Sequence, residues 1–109
     1  MRYTYISSDN TVASADYAGT ALGADNQDVV IYKIICGSPT DADYIKVYDK
    51  YNPILNSTTN LAAYLTQPSH AAGCEWQYEY DFGPNGLKLG EGGNVVTNGD
   101  QITVIWDLA

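Results

Sequence analysis

Residues 74–82 read CEWQYEYDF, and polar and apolar side chains alternate there more cleanly than anywhere else in the chain. Successive side chains of a β-strand point to opposite faces of the sheet, so a period of two indicates one packed face and one wet face. The apolar face collects Cys74, Trp76, Tyr78, Tyr80 and Phe82. The stretch therefore predicts an amphipathic strand and an all-β fold.

Three glycine-rich turns follow this strand, at 83–86 (GPNG), 90–94 (GEGGN) and 97–100 (TNGD). Gly and Asn tolerate the positive φ angles that tight hairpin turns require. The segments between and after these turns, at 86–89, 95–97 and 101–106, are short and rich in β-branched or aliphatic residues. They predict three further strands.

Two strands are predicted upstream. Residues 28–36 (DVVIYKIIC) are almost continuously apolar, which indicates a central strand covered on both faces. Residues 44–48 (YIKVY) alternate, with Ile45 and Val47 on the buried face and Tyr44, Lys46 and Tyr48 on an aromatic, wet face. Residues 60–66 (NLAAYLT) have helical spacing but are short for a helix, so a strand and a helical turn both fit.

The N-terminal part of the chain has a different pattern. Residues 2–8 (RYTYISS) alternate and suit a first strand or an extended arm, whereas residues 9–28 carry few large apolar groups. That segment predicts a loop that docks on a partner or hides a short strand near residues 11–13. The whole chain is predicted to be an antiparallel β-sandwich, or small barrel, of about seven short strands, with an N-terminal arm at 1–28 and the sandwich at 29–109.

Charge and hydropathy limit the partners. Thirteen acidic against five basic side chains give a formal charge of −8, which repels a phosphate backbone, so no nucleic acid is expected. No apolar run approaches the roughly 18–20 residues of a membrane-spanning helix, so no membrane partner is expected. Residues 1–10 show no export signal, which predicts a protein made in the cytoplasm.

The cysteine, histidine and aspartate residues give little indication of a metal site or a disulfide. Cys36 and Cys74 are predicted to be thiols in the absence of an export signal, although a disulfide between neighbouring strands stays open. His70 stands alone, which argues against zinc. Asp41 and Asp43 have oxygens that suit Ca²⁺, but a turn in which they cap their own backbone explains them better. The sequence predicts no metal and no cofactor.

Enzymatic chemistry is also not predicted. Glu75, Glu79 and Asp81 lie on one face of a strand, and paired carboxylates can hydrolyse glycosides. A solvated acidic face produces the same pattern, and nothing beside these acids would raise a pKa. No catalytic residue is therefore assigned.

Tyrosine is the most unusual element of the composition, with ten tyrosines beside two tryptophans. Tyr44, Tyr48 and Tyr51 are predicted to form an exposed patch. Such a patch fits a solvated sheet face, a subunit interface or a carbohydrate-stacking surface, since aromatic residues are enriched at binding surfaces.

Four segments taken in order, VIYKIICGSPT (30–40), YIKVYDK (44–50), NGLKL (85–89) and GDQITVIWD (99–107), resemble small β-sandwich virion proteins of tailed bacteriophages. The resemblance covers residues 29–107, and its motifs are structural. It implies a capsid decoration or cement protein on the exterior of the virion, bound to the major capsid protein, with no catalytic residue.

The contacts expected for such a protein lie in two places. Tyr3, Tyr5 and Ile6 of the arm are predicted to contact the capsid, and Tyr44, Tyr48 and Tyr51 are further candidate partner contacts. A symmetric homo-oligomer, dimer or trimer, is expected. Two alternatives remain, namely a carbohydrate-binding or attachment module that uses Tyr44, Tyr48 and Trp76, and a tail or connector subunit.

Overall fold

The chain folds into β-strands joined by short turns. The computed structural model describes residues 1–7, 19–37, 44–53, 58–66, 78–98 and 101–109. Within these ranges there are nine strands and no helix. The strands are β1 (Arg2–Ile6), β2 (Thr20–Leu22), β3 (Val29–Cys36), β4 (Tyr44–Tyr48), β5 (Leu61–Thr66), β6 (Tyr78–Asp81), β7 (Leu87–Leu89), β8 (Gly93–Thr97) and β9 (Ile102–Leu108).

The strands form two antiparallel sheets packed face to face. The first sheet has the order β1-β9-β3-β6, with β7 following β6 along the same side of β3, and the second has the order β2-β8-β4-β5. Every pairing is antiparallel. The predicted all-β sandwich is confirmed, with nine strands in place of about seven.

The strand β3 is central, as its apolar run predicts, because it pairs with β9 on one side and with β6 and β7 on the other. Its register on β9 shifts between Ile31 and Lys33, so Tyr32 is an extra residue, a β-bulge. Ile31 and Ile34 both face the core across this bulge. The expected coverage of both faces is only partial, since Lys33 and Ile35 on the outer face are half-buried.

Residues 2–6 form a sheet strand, which answers the open choice between strand and arm. All five residues of β1 pair with β9, from Arg2 opposite Trp106 to Ile6 opposite Ile102. Ile6 is only 6% exposed and belongs to the core. Thr20–Leu22 then pairs with β8, so the described parts of segment 1–28 contribute one strand to each sheet. The strand expected near residues 11–13 lies outside the described residues.

The core lies between the sheets and is drawn from both. Its buried members are Ile6, Leu22, Val29, Ile31, Ile34, Cys36, Ile45, Val47, Leu89, Val95, Ile102, Val104 and Trp106. Burying a side chain of this size contributes about 1.5–3 kcal/mol. Gly93 of β8 allows the sheets to approach closely, because a Cβ there would stand 2.9 Å from Leu89 Cδ1 and 3.3 Å from Val29 Cγ2 in the opposite sheet.

The C-terminal part follows its predicted pattern. The described end of the alternating stretch forms β6, where Tyr80 and the following Phe82 pack against the core while Glu79 and Asp81 are exposed. The turn at 83–86 is closed by a hydrogen bond from Gly86 N to Gly83 O of 3.1 Å. Gly86 has φ 68°, as its position after Asn85 predicts.

The second sheet differs from expectation at Tyr48, which is fully buried and not part of a wet face. Its register partner Asn94 and the neighbouring Val96 are also buried, and the backbone at Gly19 packs against both of these side chains. The outer face of this sheet is therefore covered at the Tyr48 end. Residues 61–66, left open between strand and helical turn, form β5.

Several predicted features lie outside the described residues. They are the strand region 74–77 with Cys74, Glu75 and Trp76, the lone His70, and the turn with Asp41 and Asp43.

Candidate functional site

The exposed large apolar side chains of the described residues concentrate at β1. Met1 and Tyr3 are each 68% exposed and Tyr5 is 63% exposed. Tyr3 and Tyr5 alternate with Thr4 and share the outer face of the first sheet, opposite Ile105 and Thr103 of β9. As an end member of its sheet, β1 pairs with β9 alone among the described strands. We call this strand, with its outward tyrosines, the β1 edge.

The opposite face of β1 holds the strand in place. The indole Nε1 of Trp106 donates a hydrogen bond to Thr4 Oγ1 at 2.8 Å. The Arg2 guanidinium lies 5.5 Å from the Trp106 ring centroid, and Arg2 Nε lies 3.7 Å from Asp107 Oδ1. Cation–π contacts of this kind contribute about 0.5–1 kcal/mol at exposed sites. Together with buried Ile6, these contacts present the two tyrosines on a fixed strand.

Asp107 is the anion at this end of the sheet. The ammonium of Met1, 2.9 Å from Asp107 Oδ2, lowers the pKa of this carboxyl, and the Leu108 N–H, which donates to Oδ1 at 2.8 Å, lowers it further. The carboxylate therefore stays ionised below its usual range. It neutralises part of the positive charge at the start of β1.

A shallow depression of about 550 Å³ adjoins the β1 edge on the outer face of the first sheet. It is lined by Met1, Tyr32, Lys33, Asp81, Gly83, Pro84 and Ile105. The Lys33 ammonium pairs with Glu79 at 3.3 Å, and the rest of the lining is mostly apolar. The bulge at Tyr32 helps to build this depression, since it places Tyr32 and Lys33 consecutively along its wall.

A second aromatic surface lies on the other sheet. The rings of Tyr44 on β4 and Tyr64 on β5 are stacked, with centroids 5.7 Å apart and planes at 17°. Lys46 Nζ lies 5.2 Å from the Tyr44 centroid and 5.8 Å from the Tyr64 centroid. Tyr64 is 53% exposed. We call these three residues the Tyr44–Tyr64 pair with Lys46.

At the other end of β4, two buried polar atoms lack hydrogen-bond partners among the described residues, namely the Tyr48 hydroxyl and Asn94 Oδ1. The Asn94 amide nitrogen is satisfied, because it donates to Tyr51 O at 3.1 Å. Burial, with a smaller contribution from nearby Tyr44, raises the pKa of the Tyr48 phenol. Tyr48 is thus a neutral, buried side chain at physiological pH.

The candidate residues are therefore divided between two surfaces and the interior. Tyr3 and Tyr5 lie together on the first sheet, whereas Tyr44 and Tyr51, both half-buried, lie on the second. Ile6 and Tyr48 are buried, so in this conformation neither can be a surface contact or a stacking group. The expected patch of Tyr44, Tyr48 and Tyr51 is replaced by a pair of Tyr44 with Tyr64.

Tyr64 was missed at the level of sequence because residues 60–66 fit a strand and a helical turn equally well. Read as a strand, the segment places Tyr64 opposite Lys46 on the outer face, where the structure has it. The register that joins these residues is the signal that sequence alone does not carry.

Glu79 and Asp81 are exposed on β6. In the part of the chain that the structure describes, no cluster of three or more His, Cys, Asp or Glu residues could hold a metal ion. Cys36 is buried in β3, and the prediction that Cys36 and Cys74 are thiols stays a prediction because Cys74 lies outside that part. None of the described segments forms a helix that could cross a membrane.

Comparison of the chain with known protein families, curated proteins and solved structures finds no match in any of the three. The function of the chain is therefore inferred from its surfaces.

Proposed function

We propose that this chain is a non-enzymatic structural protein of a tailed-bacteriophage virion, a decoration or cement protein. It binds the outer surface of the assembled head and stabilises contacts between major capsid subunits. The order of sequence segments that resembles such β-sandwich proteins motivates the virion location. The observation that carries the binding role is the aromatic β1 edge, where Met1, Tyr3 and Tyr5 are each more than 60% exposed.

This edge has the composition of a docking surface. Tyrosine offers large contact area with few rotatable bonds, so ordering it on binding costs little conformational entropy. The depression beside it adds an apolar recess with one ion pair at its rim, Lys33 with Glu79. Clusters of exposed apolar groups on an otherwise acidic surface mark interaction sites.

The protein stabilises the shell through thermodynamic linkage between its binding and the assembly of the shell. A protein that binds only the assembled shell stabilises that state by its own binding free energy, about 2.7 kcal/mol at a concentration of 100 times Kd. Many symmetry-related copies on one shell multiply this contribution. The exposed carboxylates of Glu79 and Asp81 contribute to the net charge of −8, which keeps decorated particles apart in solution.

Immunogold labelling of intact particles from the source lysate tests the location. Gold spread evenly over heads supports the proposal. Gold confined to tails or fibres replaces it with an attachment or tail role, and unlabelled particles overturn an exposed virion location.

A matched pair of variants tests the surface. Tyr3→Ser with Tyr5→Ser removes the aromatic face of the β1 edge, and we expect co-sedimentation with undecorated heads to fall at least tenfold. Tyr64→Ser removes an exposed tyrosine from the other sheet and should leave co-sedimentation unchanged. Equal loss in both variants, or none in the double variant, argues against the β1 edge as the docking surface.

A second function is favoured by one specific observation, the Tyr44–Tyr64 pair with Lys46. Exposed aromatic faces stack on sugar rings, and an ammonium beside them suits a carboxylated sugar. In this alternative the chain is a carbohydrate-binding module on a head or tail fibre. Glycan-array binding that is lost in Tyr64→Ala and kept in the double serine variant would support it, and an array without hits would reject it.

A further inference from the structure

We propose that two copies of this chain pair through β1, antiparallel and edge to edge, about a twofold axis that passes between the two Thr4 residues. The two five-stranded first sheets then become one continuous ten-stranded sheet. The pairing does not depend on the virion function, because it concerns only the edge of β1 that no described strand covers.

β1 has few of the features that keep strand edges from pairing, and its one charged side chain is Arg2. Natural edges are kept short, bulged, charged or interrupted by proline. β2 and β7 have three residues each, β6 carries exposed Glu79 and Asp81, and β5 has a register shift against β4. By contrast, β1 pairs with β9 over five consecutive residues without a shift and contains neither proline nor an acidic residue.

The strand RYTYI is also complementary to itself. An antiparallel pairing centred on Thr4 sets Tyr3 of one copy opposite Tyr5 of the other, and repeats that pair across the axis. Directly opposed aromatic residues stabilise a strand pair. Both tyrosine pairs fall on the outer face of the joined sheet, where Tyr3 and Tyr5 are already exposed.

Charge permits this register. Arg2 faces Ile6 of the second copy, and the two Arg2 residues stand about four residues, or roughly 13 Å, apart along the strands. That distance exceeds the screening length of about 8 Å at physiological salt. The remaining repulsion comes from the net charge of −8 on each copy, so dimerisation should strengthen as salt is added.

Pairing through the backbone edge leaves the outer face free. Four tyrosines, two from each copy, then form one apolar strip across the axis. Dimerisation therefore enlarges the face that the proposed function assigns to the capsid.

Sedimentation equilibrium of the full chain tests the dimer, with an expected mass of twice 11.8 kDa at micromolar concentration. Two charged double variants test the register, Tyr3→Lys with Tyr5→Lys and Tyr3→Glu with Tyr5→Glu. Each sets like charges opposite one another across the axis and should weaken its own dimer at least tenfold. An equimolar mixture sets opposite charges face to face and should restore a dimer that contains one copy of each variant.

Tyr64→Lys is the matched control, since it adds a charge to an exposed tyrosine on the β5 edge and should leave the dimer intact. Recovery in the mixture also shows that both double variants are folded. A wild-type chain that is monomeric at about 0.1 mM, well above the Kd of a micromolar dimer, overturns the proposal. A dimer that resists both charged variants, or a mixture that stays monomeric, equally overturns it.

The same proteins separate this inference from the proposed function. The mixed dimer restores edge pairing without restoring the aromatic face, so it should remain unable to bind heads if that face is the docking surface. A dimer without head binding in the wild type would reject the proposed function alone. Head binding by a wild-type monomer would reject the dimer alone.

Discussion

The two sheets each place exposed tyrosine on an edge strand, yet the edges differ in what the tyrosine contacts. On β5, Tyr64 stacks on Tyr44 and lies near the Lys46 ammonium, and the strand has a register shift against its neighbour. On β1, Tyr3 and Tyr5 are more exposed, and the strand is regular along its whole length. The β5 tyrosine is occupied within its own molecule, whereas the β1 tyrosines face outward.

An exposed aromatic residue therefore does not by itself define a binding edge. The regularity of the backbone determines whether an edge can bind a partner strand, because a shifted or short strand cannot offer a continuous row of N–H and C=O groups. β1 combines the aromatic face with the regular backbone. It is also firmly attached to its own sheet from beneath, and that attachment can be tested.

The largest effect is expected from Ile6→Ala, which removes the buried anchor of β1. Ile6 is 6% exposed, and deletion of a buried side chain of this size costs about 2–4 kcal/mol of unfolding free energy. Chemical denaturation followed by circular dichroism measures it. The control Tyr5→Ala changes an exposed residue on the same strand and should cost less than about 0.5 kcal/mol. A loss below about 1 kcal/mol for Ile6→Ala would mean that β1 is a detachable arm.

An intermediate effect is expected from Thr4→Val, which keeps the shape of the side chain and removes the acceptor of the Trp106 indole N–H. Trp106 is 8% exposed, so its donor would be left largely without water, at a cost of about 1–2 kcal/mol. The urea midpoint should fall in Thr4→Val and stay near the wild-type value in Thr4→Ser, which retains the hydroxyl. Equal midpoints for the two variants would show that the hydrogen bond does not hold β1.

The smallest effect is expected from Tyr48→Phe in the second sheet, and it carries a pH signature. The Tyr48 hydroxyl is buried without a hydrogen-bond partner among the described residues, so its removal should leave stability at pH 7 unchanged or raise it by up to about 1 kcal/mol. Burial raises the pKa of this phenol above its unfolded value of 10.0. Below pH 10 the phenol is protonated in both states and does not change the pH dependence of stability. As the pH rises from 10 through the folded pKa, the unfolded state releases a proton that the folded state retains, so the protein loses stability.

Tyr48→Phe should therefore flatten the alkaline loss of stability, measured by denaturation at several pH values above 9. If Tyr48→Phe instead destabilises the protein by more than about 1 kcal/mol, the hydroxyl has a partner and the description of the second sheet must change.

Much of the fold could be predicted because period and turn chemistry are local. The alternation that ends at Phe82, the Asn85-Gly86 turn and the apolar run of β3 each report their own structure through a few neighbouring residues. β2 could not be predicted in the same way. Its segment contains a single buried large side chain, Leu22, and becomes a strand by pairing with β8.

The candidate surfaces were harder to predict, since they depend on register between distant strands. Tyr48 has the same alternating pattern as Tyr44, yet it is buried beside its register partner Asn94, against which Gly19 packs. Tyr64 meets Tyr44 only through the pairing of β4 with β5. Tyr3 and Tyr5 were predicted as contacts from their own strand, and their exposure agrees with that role without testing it.

The antiparallel pairing of β1 with β9 also has a mechanical consequence. Arg2 stands opposite Trp106, so tension applied between Arg2 and Leu108 would peel β1 from β9 one residue pair at a time, and would not shear the whole ladder at once. Peeling begins at the end where Arg2 and Thr4 contact Trp106 and where Arg2 approaches Asp107. The strand is thus clamped at the point where such a load would first pull.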